Sequence, residues 1–420
     1  MADVTFDQSV IRTTDGIPLK VKLRRTTRLN RMKAIGLVAP LFIFILITFI
    51  LPIGDMLLRS VENPTLSTYW PKTMAALETW DGTGLPDEPV FATLAEELVT
   101  TKKGRNLGKI ANRLNYEQVG MRSLLSKTAR KVARLKQGPY KDAFLKIDKR
   151  WGKTETWAII KRTGKPITLS FYLTALDKRY DTQGNIVSQP EFKRIYITLF
   201  LRTLWVSLLI TVLCLLAGYP IAYLMATLPV RTSNLLMIMV LLPFWTSLLV
   251  RTTSWIVLLQ TQGVINDILV WIGVIGDKNR IEMIYNMTGT IIAMTHILLP
   301  FMVLPLYSVM KTISPNYVRA AQSLGANPLT AFWRIYFPQT VPGIGAGSIL
   351  VFILAIGYYI TPALVGGRTG QLISNFIAYH MQKSLNWGLA AALGGLLLAG
   401  ILVLYWLYNR IVGIDNMKLG

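Results

Sequence analysis

The chain is poor in the residues that carry most enzyme chemistry. Among 420 residues it has one cysteine and two histidines. Cys214 alone permits no internal disulfide. With only His296 and His380 beside it, no nucleophile or metal constellation can be assembled, so no catalytic or metal-ligating residue is assigned and a membrane enzyme is set aside. Charge is scarce too: 16% of residues are charged, against about 25% in soluble domains. Acids are the scarcest, 22 against 45 Lys and Arg, which leaves a net charge of +23. Taken alone, that excess would suggest nucleic acid. Gly-Lys-Ser/Thr occurs once, at Gly152–Thr154, and the glycine a phosphate-binding loop needs five residues earlier is Ile147. The chain is therefore not expected to bind ATP itself, and no cofactor is assigned to it.

What the chain has in quantity is apolar sequence. Hydrophobic residues make up 52% and mean hydropathy is +0.42. Six stretches carry no Asp, Glu, Lys or Arg: 34–54, 203–230, 232–250, 283–310, 335–367 and 384–409. About 20 apolar residues cross a bilayer. Six spanning helices are predicted, roughly 34–57, 203–226, 233–257, 288–310, 343–365 and 387–408. Val264–Gly276 is too short to span and holds Asp267, so it reads as an interfacial or re-entrant piece. In such a protein much of the positive charge reads as topology and lipid contact, and nucleic acid is not an expected partner. The tail 1–33 carries eight basic residues and three acids, which places it in the cytoplasm. It leads into an uncleaved anchor at 34–58, since "LPIGDMLLRS" offers no small-x-small cleavage site. Counting spans from there puts 61–192 outside, 311–342 inside and the C-terminus inside.

Residues 61–192 differ from the rest. They hold 22 Lys and Arg against 14 Asp and Glu, and no run long enough to span. Long loops translocate largely regardless of charge. In "NRLNYEQVGMRSLLSKTARKVARL" the apolar Leu124, Leu125, Val132 and Leu135 suggest a helix with one buried face. "DGTGLPDEPV" reads as loop and "DTQGN" as turn. The segment is expected to be a small, mostly helical domain. Its basic face is a solvated surface near anionic lipid, a dock for an acidic soluble partner, or a direct ligand site.

Between the fourth and fifth predicted spans lies "RAAQSLGANPLTAFWRIYFPQTVPG", residues 319–343. "PNYVRAAQSLG" can form a short helix that Gly325 ends, because Gly readily takes the left-handed conformation of a helix C-terminus. Asn327 suits an N-cap and Pro328 the first turn of a second helix. Pro338 and Pro342 are expected to break the path into the fifth span. Arg319, Ala320, Ala321, Gly325, Ile335 and Pro338 stand at the spacing E-A-A-x3-G-x9-I-x-L-P, with Arg319 in place of the acid and Phe337 in place of Leu. This resembles the cytoplasmic loop of binding-protein-dependent ABC importer permeases. "LLPFWTSLLVRTTSWIVLL", "LLPFMVLPLYSVM" and "ITPALVGG" resemble their spermidine/putrescine-type branch.

The resemblance implies an all-α, six-span type I ABC importer permease with a core over 195–420 and an insertion between the first two spans. It implies coupling to the ATPase through the six residues just named. Expected partners are a second permease subunit, a different chain in this branch, two ATPase subunits that carry ATP and Mg, and a periplasmic binding protein that delivers a polyamine or similar solute. The implied location is a bacterial inner membrane. The rival class is an ion-coupled secondary transporter, which should show membrane-buried acids or a proton relay; His296 is the one residue of that kind in a predicted span. His296 reads either as a functional group at membrane depth or as a neutral bond between helices. Arg251 either snorkels or lines the pathway. Tyr358 and Tyr359, predicted inside the fifth span, offer polar tips, one of them toward a pore. Trp245 and Trp255 read as anchors or packing. The absence of acid from the predicted span cores argues against a tight polyamine site in this chain.

Overall fold

The computed structural model describes residues 19–135, 137–181 and 183–412. The residues described are mostly helical, with one two-stranded hairpin, Lys178–Tyr180 against Ile186–Ser188. Asp3, Asp7 and Asp15 of the predicted tail lie outside the described residues. The chain forms two compact units, one ending at Leu58 and one beginning at Arg59.

The first unit is one apolar helical path, and residues 25–59 are long and apolar enough to cross a membrane. It is not regular throughout. Helix Leu19–Ile45 passes into a π turn at Leu46–Ile50, then into helix Leu51–Arg59. Pro52 has no N–H to give and its ring would collide with the carbonyl four residues back. The wider π turn before it removes that collision, with the Leu51 N–H reaching back five residues to the Leu46 carbonyl.

The second unit contains the insertion and the other spans. In the insertion, Phe91, Phe144, Trp151 and Trp157 form a fully buried aromatic cluster with centroid spacings of 4.6–5.5 Å. Each buried indole finds an acceptor: Trp151 donates to Thr128 Oγ1 at 2.9 Å and Trp157 to the Trp151 carbonyl at 3.0 Å. The single helix expected across residues 112–135 is two, Leu107–Glu117 and Met121–Val132. Gly120 turns between them at φ 96°, and its N–H donates to Asn115 Oδ1. Leu124, Leu125 and Val132 are buried as expected, whereas Leu135 lies beyond the helix and is exposed. The stretch after residue 169 belongs elsewhere: Phe171 and Ala175 pack with Tyr196, Leu199, Ile373 and Leu389 of the membrane core. Asp177, just before the hairpin, is buried and caps the next span. Its carboxylate accepts the backbone N–H groups of Ile195, Tyr196 and Ile197 at 2.9–3.1 Å.

The second, fourth and fifth spans (Tyr196–Thr227, Met287–Thr312 and Pro328–Gly357) form the centre of the bundle. Gly343 and Gly347 let the fifth approach the fourth closely: a Cβ on Gly343 would stand 3.2 Å from Leu306 Cα, and one on Gly347 2.7 Å from Met302 Sδ. The sixth span is Trp387–Arg410. Two expectations need correction. The third span is not straight: Val230–Trp245 and Leu248–Trp271 meet at 99°, and six spans are counted only if that bent pair is one. Pro243 interrupts the hydrogen-bond ladder, and the Ser247 side chain starts a new helix by accepting the Val250 N–H. The fifth span ends at Gly357 instead of running to 365, and a short helix resumes at Ile360–Val365. Pro362 stands in the first turn of the resumed helix, where its ring would meet a helical carbonyl at Tyr358. Tyr358 and Tyr359 therefore occupy a break and not a helix interior.

Candidate functional site

The connector between the fourth and fifth spans is built by its caps. Ser314 Oγ accepts the Asn316 N–H and opens helix Pro315–Ser323. The Ala326 N–H reaches back to the Ala321 carbonyl at 3.0 Å, and the Gly325 N–H to the Gln322 carbonyl at 2.9 Å. Gly325 sits between them at φ 90°, the arrangement of a Schellman C-cap. Asn327 Oδ1 then accepts the Thr330 N–H at 2.7 Å, and Pro328 starts the second helix. Beyond that, one expectation fails: Pro338 and Pro342 do not break the path. A π turn at Phe332–Tyr336 precedes Pro338 and carries the chain straight into the fifth span. It repeats the device seen before Pro52.

Arg319, Ala320, Gly325 and Pro338 are exposed, and Ala321 and Ile335 are half-buried. Around them stand apolar side chains with nothing over them, Leu324 at 90% exposure and Leu329 and Trp333 more than half exposed. The underside is anchored. Val318 and Phe332 pack on the bundle core, and Tyr219 and Tyr223 of the second span meet Phe332 edge-on. Tyr219 also bonds Thr340 at 3.2 Å. The sequence features considered above do not mark this aromatic seat; the adjacent aromatic pairs at 332–333 and 336–337, one helical turn apart, are the signal that points to it. The result is a rigid, apolar, acid-free knob held firmly from below.

The second site lies where the helices break. Arg251 occupies the first turn of the helix that restarts the third span, and Trp255 follows one turn later. The Trp255 indole N–H donates to His296 Nδ1 of the fourth span at 3.2 Å. Thr252 bonds Thr361 across 3.3 Å, which joins the restarted helix to the segment beyond the other break. Arg251 stands one turn from the Trp255 that bonds His296, and its neighbour Thr252 reaches the short helix that begins just after Tyr358 and Tyr359. Tyr359 is part-exposed and its carbonyl turns to Asn375 Nδ2 at 2.7 Å. Ser374 and Asn375, which no sequence feature marked, hold the break open by bonding carbonyls of Ile356 and Tyr359. Among the described residues no group of His, Cys, Asp and Glu could hold a metal.

These features sit in a segment with recognisable relatives. A family model described as "binding-protein-dependent transport system inner membrane component" matches residues 218–412. The spermidine/putrescine transport system permease protein PotB of Escherichia coli K12 is 37% identical over 221 residues, covering 52% of this chain and 80% of that protein. PotB of Haemophilus influenzae is 34% identical over 233 residues, covering 54% and 81%. The chain belongs to the family of binding-protein-dependent transport inner membrane components. It is an ABC importer permease, a multi-pass α-helical membrane subunit of the transporter and not its ATPase. A solved bacterial alginate ABC transporter is also similar, with TM-score 0.42 and 22% identity over 53% of this chain and 83% of that one. The insertion lies before the matched residues.

Proposed function

We propose that this permease forms half of the translocation pathway of an ATP-driven importer. A periplasmic binding protein delivers a small solute from outside, and two ATPase subunits that hold ATP and Mg dock beneath. The second permease is a different but related chain. The solute is a polyamine or a similar small amine, by likeness to the spermidine and putrescine carriers. The N-terminus, the 311–342 connector and the C-terminus face the cytoplasm, and 61–192 forms a periplasmic domain.

The observation that carries this reading is the connector. Its exposed apolar knob on a rigid aromatic seat suits a shape-matched socket on a soluble motor. Arg319, Ala320, Ala321, Gly325, Ile335 and Pro338 are assigned to that contact. Charge is not the main term, because Arg319 stands where the family pattern has an acid. The breaks at 246–247 and 358–359 support a solute pathway past Arg251, His296, Tyr358 and Tyr359, since discontinuous helices free backbone groups at membrane depth. A proton relay through His296 is disfavoured, because its Nδ1 is already taken by the Trp255 indole.

The test compares Gly325→Val and Ala320→Trp with the wild type in the assembled transporter. Gly325 holds a positive φ that a β-branched residue resists, at a local cost of roughly 1–2 kcal/mol. Trp at the exposed Ala320 enlarges the knob. Both variants should reach the membrane in normal amount and lose transport and stimulated ATP hydrolysis together. Normal transport in both would make the loop a plain connector.

A further inference from the structure

The segments beyond the two helix breaks are joined by Thr252 and Thr361, and the hydrogen-bonding groups that stand beside that joint are one-sided. Arg251 offers only donors. Its Nε is buried without a hydrogen-bond partner. An indole N–H can only donate, so the bond from Trp255 makes His296 Nδ1 an acceptor. The ring is then neutral and its proton sits on Nε2, a second donor. Thr252 and Thr361 satisfy each other across 3.3 Å. No Asp or Glu lies in 196–259, 287–312, 328–365 or 387–410, so nothing acidic in these spans answers the guanidinium. Acids nearest in sequence are otherwise engaged: Asp267 and Asp277 both bond Arg280, at 2.7 and 2.9 Å.

A half-buried guanidinium with an unpartnered donor stabilises an anion and repels a cation, and it does so more strongly at membrane depth than in water. Rings of charge select ions in pores on the same principle. A planar guanidinium matches the two oxygens of a carboxylate. We propose that the solute moved along this pathway presents a carboxylate to Arg251, with the His296 Nε2–H as the second donor; this rests on the import reading above. A small amine that also carries a carboxylate keeps the likeness to the spermidine and putrescine carriers. It supplies the acceptor those amines lack, and its ammonium end stays away from Arg251.

The test uses intact cells of the source strain, with the chain deleted or restored as wild type, Arg251→Met or Arg251→Lys. Cells receive equimolar putrescine, spermidine, 4-aminobutyrate, mixed amino acids and small organic acids, and depletion of each is followed by mass spectrometry. Putrescine and 4-aminobutyrate form a matched pair in which one amine is replaced by a carboxylate. The solutes whose depletion requires the chain should carry a carboxylate. Arg251→Met should slow that depletion at least tenfold at equal membrane abundance, and Arg251→Lys, which keeps the charge but not the planar fork, should fall between it and the wild type. The proposal is overturned if every chain-dependent solute lacks an acidic group. It is equally overturned if Arg251→Met leaves depletion unchanged or speeds it, as relief of repulsion would for a polyamine. If nothing in the mixture depends on the chain, the import reading fails and takes this proposal with it.

Discussion

Asp177 carries more of the architecture than its place in a polar loop suggests. One buried carboxylate accepts three consecutive N–H groups at the start of the second span. Those donors have no other partner at a helix N-terminus. Asp177→Ala should cost about 1–3 kcal/mol, since it removes a cap and leaves amides unsatisfied. A lower melting temperature of the purified protein in nanodiscs, with Asp177→Asn intermediate, is the expected reading. His380 gives a second expectation. It lies outside the spans, between Tyr196 at 2.9 Å and Ser384 at 2.8 Å, and burial holds its pKa below the ordinary histidine value. The folded protein therefore resists protonating it more than the unfolded chain does. Stability is full above the ordinary pKa and falls as pH drops below it. Melting temperature should decline from pH 7 to pH 5.5 in the wild type, and less steeply in His380→Gln. Neither residue was visible in the sequence as important. Asp177 is one acid among fourteen in the insertion, and its role needs the hairpin to bring it to Tyr196.

At the scale of elements, proline alone does not decide where a helix ends. Pro52 and Pro338 each follow a π turn and their helices continue, and Pro220, Pro300 and Pro305 lie inside unbroken α-helices. Pro243 and Pro362 stand where the helices break. Sequence periodicity cannot separate these outcomes, because the apolar runs 232–250 and 335–367 pass through the breaks without a change in composition. That is why the spans and the connector were legible while the bends were not. The connector was legible because its signals are local: Gly325, Asn327 and Pro328 each act within three residues. The insertion makes a prediction of its own. Its aromatic core closes within residues 66–160, whereas Phe171 and Ala175 pack on the membrane core. Residues 62–165 expressed alone should be soluble and largely helical by circular dichroism. Extending the piece to 192 should add exposed apolar surface and reduce solubility. A random-coil spectrum from 62–165 would show that the insertion orders only on the rest of the protein.

For the molecule as a whole, the sites divide the work. A knob lies at one end of the fourth and fifth spans, and a donor-rich site lies between the break in the third span and the break after the fifth, beside His296 of the fourth. The connector runs through the π turn at 332–336 into the helix that ends at Gly357. Under the proposed function that continuity would couple a soluble motor to the solute pathway, and it depends on Pro338 not breaking the chain. Orientation is checked by tags: the N-terminus, 311–342 and the C-terminus should report cytoplasm and residues 100–160 the outside. The central claim, ATP-driven import, is tested most directly by the energy source of uptake. In cells whose uptake of the chain-dependent solute has been established, depleting ATP while the ion gradient is maintained should abolish uptake. Collapsing the ion gradient while ATP is maintained should leave it essentially intact. Uptake that survives ATP depletion and stops with the gradient would contradict the account and identify an ion-coupled transporter instead.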